Sequence, residues 1–471
     1  MNKFYLSFLI ILFFGLTTGV AQTDINSYNA AGGGYSTTYL SDYQCLGINP
    51  ANLGWTYDQH HFYLGVFETG LSLYTNALTK YQVTHDLFNN NIELSLNQRL
   101  NAANQFSNTR VWGQAAVTWL GLSFYSKNIG GFAFSIRDRA LWNTEFSNQA
   151  AQLLFLGYHA PYFDSLVVNG NHDTTGYSKT PKKITQVFDG TKLEFVWFRE
   201  YNFGYGRKII DNKIIGIFAG VGLKYLQGYG ALQFDIHNGN LDAFSSFGPE
   251  FNINYGATTP SAMPGTGLKS TGSGFGVDLG ITIRILNMIK VSLAIDDIGS
   301  INWTGNVYQV NNVSVYKMTS PGILNYNIFN AGQFIKTDGL PGDSNSWGGL
   351  KSKRVSLPTV FRGGASIRPI PQLEAGFDIV VPIKTDVPGA MDKQVVGFGL
   401  HYSPVKWIDL STGCVTGGAI GTNIPLGISF FPVRNEKATW EIGLSTRDIP
   451  VFFKKSDFMA SVAIGFIRVG F

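Results

Sequence analysis

A regular alternation of apolar and small or polar side chains recurs along this chain and restricts its fold more than any other feature. In the clearest stretch, apolar residues Phe275, Val277, Leu279, Ile281 and Ile283 alternate with Gly276, Asp278, Gly280, Thr282 and Arg284. Because successive side chains of a strand point to opposite faces, this pattern predicts a strand with one lipid-compatible face and one polar, charged face. Similar stretches occur at 132–137, 361–368, 373–381 and 396–403.

The alternation favours a transmembrane barrel over a β-sandwich, because a sandwich would bury the face that here carries charges. Charged residues make up only 14% of the chain, against about 25% in ordinary soluble domains. Beyond residue 21 no run of 18 apolar residues could form a spanning helix. Since closed barrels are the other structure that satisfies backbone polar groups in lipid, we predict an all-β, transmembrane, antiparallel barrel.

The spacing of turn residues predicts about fourteen strands. Short links rich in the turn residues Asn, Asp, Gly and Pro fall at 127–130, 209–212, 286–289, 369–371, 404–406 and 434–437. They alternate with long polar stretches, notably 141–191, 227–271 and 300–355, which we interpret as extracellular loops. Six hairpins, an opening strand near 62–74 and a closing strand at 458–471 give the even number that such barrels have.

The N-terminus predicts export. Lys3 precedes a nearly unbroken apolar stretch, and Gly19 and Ala21 stand at the positions of a signal-peptidase site before Gln22. The competing interpretation is an uncleaved anchor, but the strongly apolar core at 8–15 is shorter than a membrane span. With Gln22 instead of Cys after the cut, no lipid anchor is expected. We therefore predict a signal peptide over 1–21 and an integral location in the bacterial outer membrane.

The C-terminus predicts a partner in assembly. Phe471 ends the closing strand, with Val469 and Ile467 on the same face. This arrangement resembles the C-terminal aromatic signal that the outer-membrane insertion machinery recognises. We expect that machinery and the outer-membrane lipids to be partners of this chain.

Two short stretches carry a family resemblance. A glycine-rich run at 30–35 precedes a tight Asn-Pro-Ala-Asn sequence, and 357–365 reads Leu-Pro-Thr-Val-Phe-Arg-Gly-Gly-Ala. Both resemble the fatty-acid-transporter superfamily of outer-membrane barrels, and within it an uncharacterised Bacteroidota barrel family related to barrels that accompany type IX secretion. The resemblance implies that the N-terminal segment fills the lumen as a hatch; the hatch residues are Asn49, Pro50, Ala51 and Asn52.

This resemblance implies three parts: the signal peptide 1–21, a hatch segment 22–59 and a barrel over 60–471. A periplasmic lead-in to the first strand is the alternative for 22–59. Charged residues on the polar faces are expected in the lumen; they are Arg137, Arg139, Asp278, Arg284, Asp296, Arg362, Arg368 and Asp378. Mutual pairing is the simpler role for them, and ligand binding the other.

Catalytic and metal sites find little support in the sequence. The seven histidines are scattered, none with metal-ligand spacing or in a nucleophile motif, so we expect no metal, no cofactor and no enzyme. A barrel hydrolase would need Ser, His and an acid brought together by the fold.

The cysteines and the net charge add two further expectations. Cys45 and Cys414 could form a disulfide in an oxidising compartment, although each is more simply explained as a small hydrophobic residue. The net charge of +4, without basic runs, gives no reason to expect nucleic acid.

Two functions remain open. The first is a hatch-plugged barrel that binds or transports a hydrophobic ligand. The second is a non-transporting barrel that acts as an interaction platform or as an accessory of a secretion-system or gliding machinery. An apolar pocket between hatch and wall would favour transport, and a lumen filled by paired charges would favour the platform.

Overall fold

The computed structural model describes residues 33–56, 60–86, 93–168, 174–326, 346–418, 421–452 and 458–471. The predicted signal peptide over 1–21 lies outside the described residues, as does the predicted hatch segment up to residue 32. No helix in the described ranges is long and apolar enough to cross a membrane.

Strands dominate the structure. In chain order they are β1 (Phe62–Thr75), β2 (Arg110–Ser126), β3 (Gly130–Glu145), β4 (Ser165–Val168), β5 (Thr174–Lys183), β6 (Thr191–Asp211), β7 (Ile215–His237), β8 (Asn240–Phe247), β9 (Gly272–Ile285), β10 (Ile289–Trp303), β11 (Val307–Val310), β12 (Ser314–Met318), β13 (Trp347–Gly349), β14 (Lys353–Ser356), β15 (Val360–Ile370), β16 (Leu373–Pro382), β17 (Val395–Val405), β18 (Ile408–Gly417), β19 (Leu426–Arg434), β20 (Thr439–Thr446) and β21 (Phe458–Gly470).

Fourteen of these strands form a closed antiparallel barrel, which confirms the predicted fold class and strand number. They are β1, β2, β3, β6, β7, β9, β10 and β15 to β21, each paired with the next. Closure occurs between the first and last strands, where Tyr63 stands opposite Gly470 and Thr75 opposite Phe458. The backbone N–H of Phe471 donates to the carbonyl of Phe62 at 2.9 Å, which seals the seam at its end.

Six short turns join β2–β3, β6–β7, β9–β10, β15–β16, β17–β18 and β19–β20 at one end of the barrel, here called the turn end. Phe62 and Phe471 lie at this same end. Each predicted hairpin is present, although the β6–β7 turn falls at 212–214 instead of 209–212. The opposite end, with the long connections, is called the loop end.

The barrel wall is much taller on one side. β6 and β7 have 21 and 23 residues, whereas β19 and β20 have 9 and 8. About 9 to 11 tilted residues are enough to span a bilayer, so β6 and β7 are about twice as long as a span requires. The predicted long loops were therefore wrong where they begin, because β3 continues to Glu145, β7 to His237 and β10 to Trp303; the start of β6 at Thr191 agrees with the predicted end of the first loop.

A lobe with its own apolar core covers the outward face of this taller wall. Its helices are α1 (Leu96–Phe106), α2 (Asn148–Leu156), α3 (Ile184–Val187), a π-helical turn (Gln82–Asp86) and the 3-10 turn Gly157–His159. The rings of Phe106 and Phe155 lie 5.1 Å apart between α1 and α2. This outer lobe packs against outward-facing Val111 and Leu193 of the wall. The lobe also contains the sheet β12–β5–β4.

Side chains of the barrel strands β9 and β17 follow the two predicted faces. Outward-facing Phe275 and Phe398 are 72% and 54% exposed, whereas inward-facing Asp278 is fully buried. The two cysteines are free thiols, Cys45 buried and Cys414 exposed. The remaining short elements are 3-10 turns at Asp42–Cys45, Pro50–Gly54, Pro249–Phe251 and Pro450–Phe452.

Candidate functional site: the filled lumen

Residues 33–56, here called the inner segment, cross the inside of the barrel from one wall to the other. At one wall, a Cβ on Gly399 would lie 1.6 Å from the carbonyl oxygen of Gly33, so only glycine permits this approach. At the other wall, a Cβ on Gly220 would lie 2.2 Å from the carbonyl carbon of Pro50. The inner segment therefore touches bare strand backbone on both sides.

Asn49 and Asn52 organise the tight part of the inner segment, as expected of residues that satisfy local backbone groups. The Asn49 Nδ2 donates to the carbonyl of Thr37 and to Thr282 Oγ1 of β9, each at 3.0 Å. The Asn52 Nδ2 donates to the carbonyls of Thr37 and Leu40 at 3.0 and 2.7 Å. Pro50 begins the 3-10 turn, and Ala51 is fully buried within it.

Charged side chains of the wall hold the inner segment at several points. The Asp378 carboxylate of β16 accepts hydrogen bonds from the backbone N–H groups of Ser36 and Thr37 at 2.7 and 2.9 Å. Lys290 of β10 donates to the carbonyl of Thr38 at 2.8 Å. Asp42 pairs with Arg468 of β21 at 2.5 Å. These contacts come from three separate strands, so the segment is fixed around the perimeter.

Aromatic rings add to this hold on the shorter wall. The ring of Tyr39 stacks on that of His401 of β17, with centroids 3.9 Å apart and planes 9° from parallel. Tyr35 meets the same histidine edge-on at 5.3 Å. The Tyr43 hydroxyl donates to the carboxylate of Glu68 on β1. A cavity of about 30 Å³ beside Tyr43 and Glu68 has room for about two water molecules.

A belt of paired charges lies next to the inner segment on the wall of β3, β6, β7, β9, β10 and β15. This charge belt consists of Arg137, Arg139, Glu200, Lys224, Asp278, Asp296, Asp297 and Arg362. Four cations face four anions, so the belt is neutral in sum. Buried charges are stable in a low-dielectric interior only when they are paired in this way.

Six members of the belt form a continuous series of ion pairs, beside the separate pair of Arg362 and Asp296. Glu200 accepts from Arg137 at 2.6 Å, and Arg139 lies 3.6 Å from Glu200 and 3.3 Å from Asp297. The Lys224 Nζ then lies 2.5 Å from Asp297 and 2.8 Å from Asp278. Each group in this chain shares a partner with its neighbour, which fixes the side chains in one arrangement.

The eight predicted lumen charges fall into two groups. Arg137, Arg139, Asp278, Asp296, Arg362 and Asp378 lie inside the barrel, with Arg362 and Asp296 paired at 2.8 Å. Arg284 and Arg368 lie at the rim of the turn end instead. Arg284 bonds Asp211 at 3.0 Å, and Arg368 donates to the carbonyl of Pro371 at 2.6 Å.

Three members of the belt, Glu200, Lys224 and Asp297, were missed from the sequence. The first two stand at inward positions of alternating stretches in β6 and β7, so the same alternation could have found them. Asp297 has no such signal. A β-bulge between Ile295 and Ile298 shifts the register there, and Asp297 adopts a positive φ of 61°.

Between the charge belt and the polar residues of the loop end, the taller wall carries a layer of apolar inward-facing side chains. This inner apolar layer consists of Leu141, Val196, Phe198, Leu226, Ala231, Phe244, Ile301, Trp303, Val307 and Leu357. Its largest members are almost fully buried: Trp303 is 1% exposed and Phe198 2%. The lumens of wide barrels are usually polar because they hold water. A water-filled channel therefore does not account for the apolar layer.

A connection of the shorter wall crosses the loop end above this layer. This bridging loop, residues 383–394 between β16 and β17, was not among the predicted long loops. Its Gly389 adopts a φ of +82°, and a Cβ there would meet Leu141 and Val196 of the inner apolar layer. The bridging loop therefore lies directly over the apolar layer on the opposite, taller wall.

Ion pairs fix the end of the bridging loop. The Asp392 carboxylate lies 2.8 Å from Arg110 of β2 and 3.1 Å from Lys192 of β6. Burial raises the pKa of Asp392, but Lys192 and Arg110 outweigh burial and hold the pKa below its usual range. The carboxylate is therefore ionised at neutral pH and can pair with both cations.

Residues 54–433 match DUF5723, a family of unknown function. The chain belongs to this family. A comparison with curated proteins finds no match. Within the described residues, no group of three or more His, Cys, Asp or Glu side chains could hold a metal ion.

Three solved structures are similar in outline. The Pseudomonas putida toluene transporter TodX is 10% identical, covers 96% of this chain and 99% of its own, and gives a TM-score of 0.45. The Ralstonia pickettii toluene transporter TbuX is 12% identical over 94% of this chain and 97% of its own, with a TM-score of 0.42. A Pseudomonas aeruginosa FadL homologue is 12% identical over 96% and 98%, with a TM-score of 0.42. Likenesses this weak leave the ligand of this chain open.

Proposed function

We propose that this protein is an outer-membrane barrel that admits hydrophobic small molecules, with the inner segment acting as a displaceable hatch. The observation that carries this proposal is the inner apolar layer. Trp303, Phe198 and Leu226 turn inward between the charge belt and the loop end, where a water-filled pore would need polar groups. A hydrophobic molecule arriving from outside would find its first favourable contacts there.

The layering of the lumen supports a molecule with one polar end. The apolar layer would hold the hydrophobic part, and the charge belt lies on the same wall. Leu357 of the apolar layer and Lys224 of the belt both face Gly276, which places the two layers next to each other. A polar group at the inner end of the molecule would therefore meet Lys224.

The way in which the inner segment is held supports a role as a hatch. Its contacts with Asp378, Lys290 and Thr282 are hydrogen bonds. Such a bond contributes about 1 kcal/mol when both groups are neutral and about 1.5 to 3 kcal/mol when one is charged, as with Asp378 and Lys290. A ligand that binds the open state can therefore offset their loss.

The experiment is purification from outer membranes in mild detergent, followed by mass spectrometry of every molecule that stays bound. We expect a hydrophobic small molecule in stoichiometric amount in the wild-type protein, and its loss in Phe198→Ala and Trp303→Ala. The matched control is Phe203→Ala, which removes an outward-facing ring of the same strand and should leave retention unchanged.

A second function, the interaction platform, is favoured by the paired charge belt in the lumen and by the outer lobe. This lobe is an ordered structure with its own buried apolar core. The sequence resemblance to barrels that accompany type IX secretion agrees with it. A stoichiometric partner protein without a hydrophobic ligand, in the same purification, would contradict transport and support the platform.

A further inference from the structure

Every short turn of the barrel carries a cation at or near its tip. The six nearest ones are exposed or half-exposed: Lys127, Lys213, Arg284, Arg368, Lys406 and Lys437. Arg207, Lys208 and Arg434 add to them on the adjoining strand ends, against the side-chain carboxylates of Asp211, Asp409 and Glu436. Nine cations against three carboxylates make this rim strongly basic, although the whole chain has a net charge of only +4.

The same turns expose large apolar side chains. They are Ile129, Ile214, Leu286, Ile370, Trp407 and Val433, each more than a third exposed. Ile214 is 67% exposed and Trp407 55%. A cation beside an exposed apolar or aromatic side chain is typical of the boundary between hydrocarbon and headgroups, where each part finds its preferred surroundings.

The distribution of these pairs around the barrel indicates what they contact. The six turns follow the whole perimeter, from β2–β3 to β19–β20. A globular partner would cover one arc of such a ring, whereas the lipids around a barrel contact every part of it. Cations near an anionic lipid surface each gain about fivefold in binding.

We propose that the four exposed turn lysines Lys127, Lys213, Lys406 and Lys437, here called the basic ring, bind the phosphate groups of anionic phospholipids that surround the turn end. This inference rests on the barrel spanning a membrane, but not on transport. It assigns the turn end a lipid preference, which would orient the barrel and fix its depth in the bilayer.

The test reconstitutes the full chain in vesicles of equal parts phosphatidylcholine and phosphatidylglycerol. After extraction in mild detergent, the lipids that stay bound are counted by native mass spectrometry. The ring variant changes Lys127, Lys213, Lys406 and Lys437 to Gln. The matched control changes four exposed lysines at the loop end to Gln: Lys179, Lys182, Lys183 and Lys351.

We expect the wild-type and the control to retain phosphatidylglycerol in preference to phosphatidylcholine, and the ring variant to lose this preference by about fivefold or more. The same four ring positions changed to Arg should restore it, which separates charge from folding. Equal enrichment in the ring variant, or no enrichment in the wild-type, would overturn the proposal.

Discussion

Lys224 is fully buried on the inner wall between Asp278 and Asp297, and its Nζ reaches both carboxylates. Such a group is stable only with its partners, and removal of one member leaves an uncompensated charge in the interior. The charge belt is therefore expected to act as one structural unit, in which each residue depends on its neighbours.

At this scale we predict that Lys224→Met lowers the free energy of unfolding by about 3 to 5 kcal/mol. Asp278 would lose its cation and Asp297 one of its two, while the volume of the side chain is nearly kept. Urea titration of the barrel folded in lipid vesicles measures the change. Lys213→Met removes an exposed lysine from a turn and serves as control; an equal loss in both variants would contradict a special role for the belt.

Some lumen residues could be predicted from the sequence and others could not. Alternation placed Arg137, Asp278 and Arg362 on the polar face because a regular strand fixes the direction of every side chain. It could not place Asp297, because the bulge beside it changes the register. Nor could it pair the charges, since pairing depends on strand neighbours that are distant in sequence.

At the scale of elements, the short turns were predictable and the wall heights were not. Turn formation depends on local sequence, because residues such as Asn tolerate the left-handed backbone conformation that turns require. Asn287 adopts this conformation, with a φ of 56°. The upper parts of β6 and β7 carry the outer lobe on one face and the apolar layer on the other. With both faces buried, the alternation that identifies a membrane strand disappears there.

The ion pairs of Asp392 are expected to keep the bridging loop closed. Asp392→Asn should open the loop about fivefold more often at pH 7, because two partly exposed ion pairs contribute about 1 kcal/mol in total. Hydrogen exchange of residues 383–394 measures the opening. Asp386→Asn, an exposed carboxylate of the same loop, should leave the exchange unchanged.

The pH dependence follows from the direction of the Asp392 pKa. Its folded-state pKa lies below the ordinary value, so the ion pairs contribute at pH values above about 4 and are lost as the pH falls through the folded-state pKa. Wild-type exchange should therefore approach that of Asp392→Asn only in strong acid. Loop opening at pH 6 in the wild-type would show that other groups control it.

At the scale of the whole molecule, counting hairpins was enough to find a fourteen-strand barrel, because closure requires an even strand number with both ends at the turn end. The inner segment and the outer lobe, unlike the hairpins, could not be predicted from local sequence patterns. Each is irregular or mixed in structure and is held by contacts between residues far apart in sequence, such as Ser36 with Asp378. Local patterns carry no information about such contacts.

The proposed function requires that the inner segment closes the lumen and can be displaced. Planar-bilayer conductance tests this claim directly. Asp378→Ala removes the carboxylate that holds Ser36 and Thr37, so it should raise the conductance several-fold above a nearly closed wild-type. Asp138→Asn, which alters a carboxylate paired at 2.6 Å with Arg199 on the outward face, should stay closed. A wild-type that already conducts, or an Asp378→Ala barrel as closed as its control, would contradict the account.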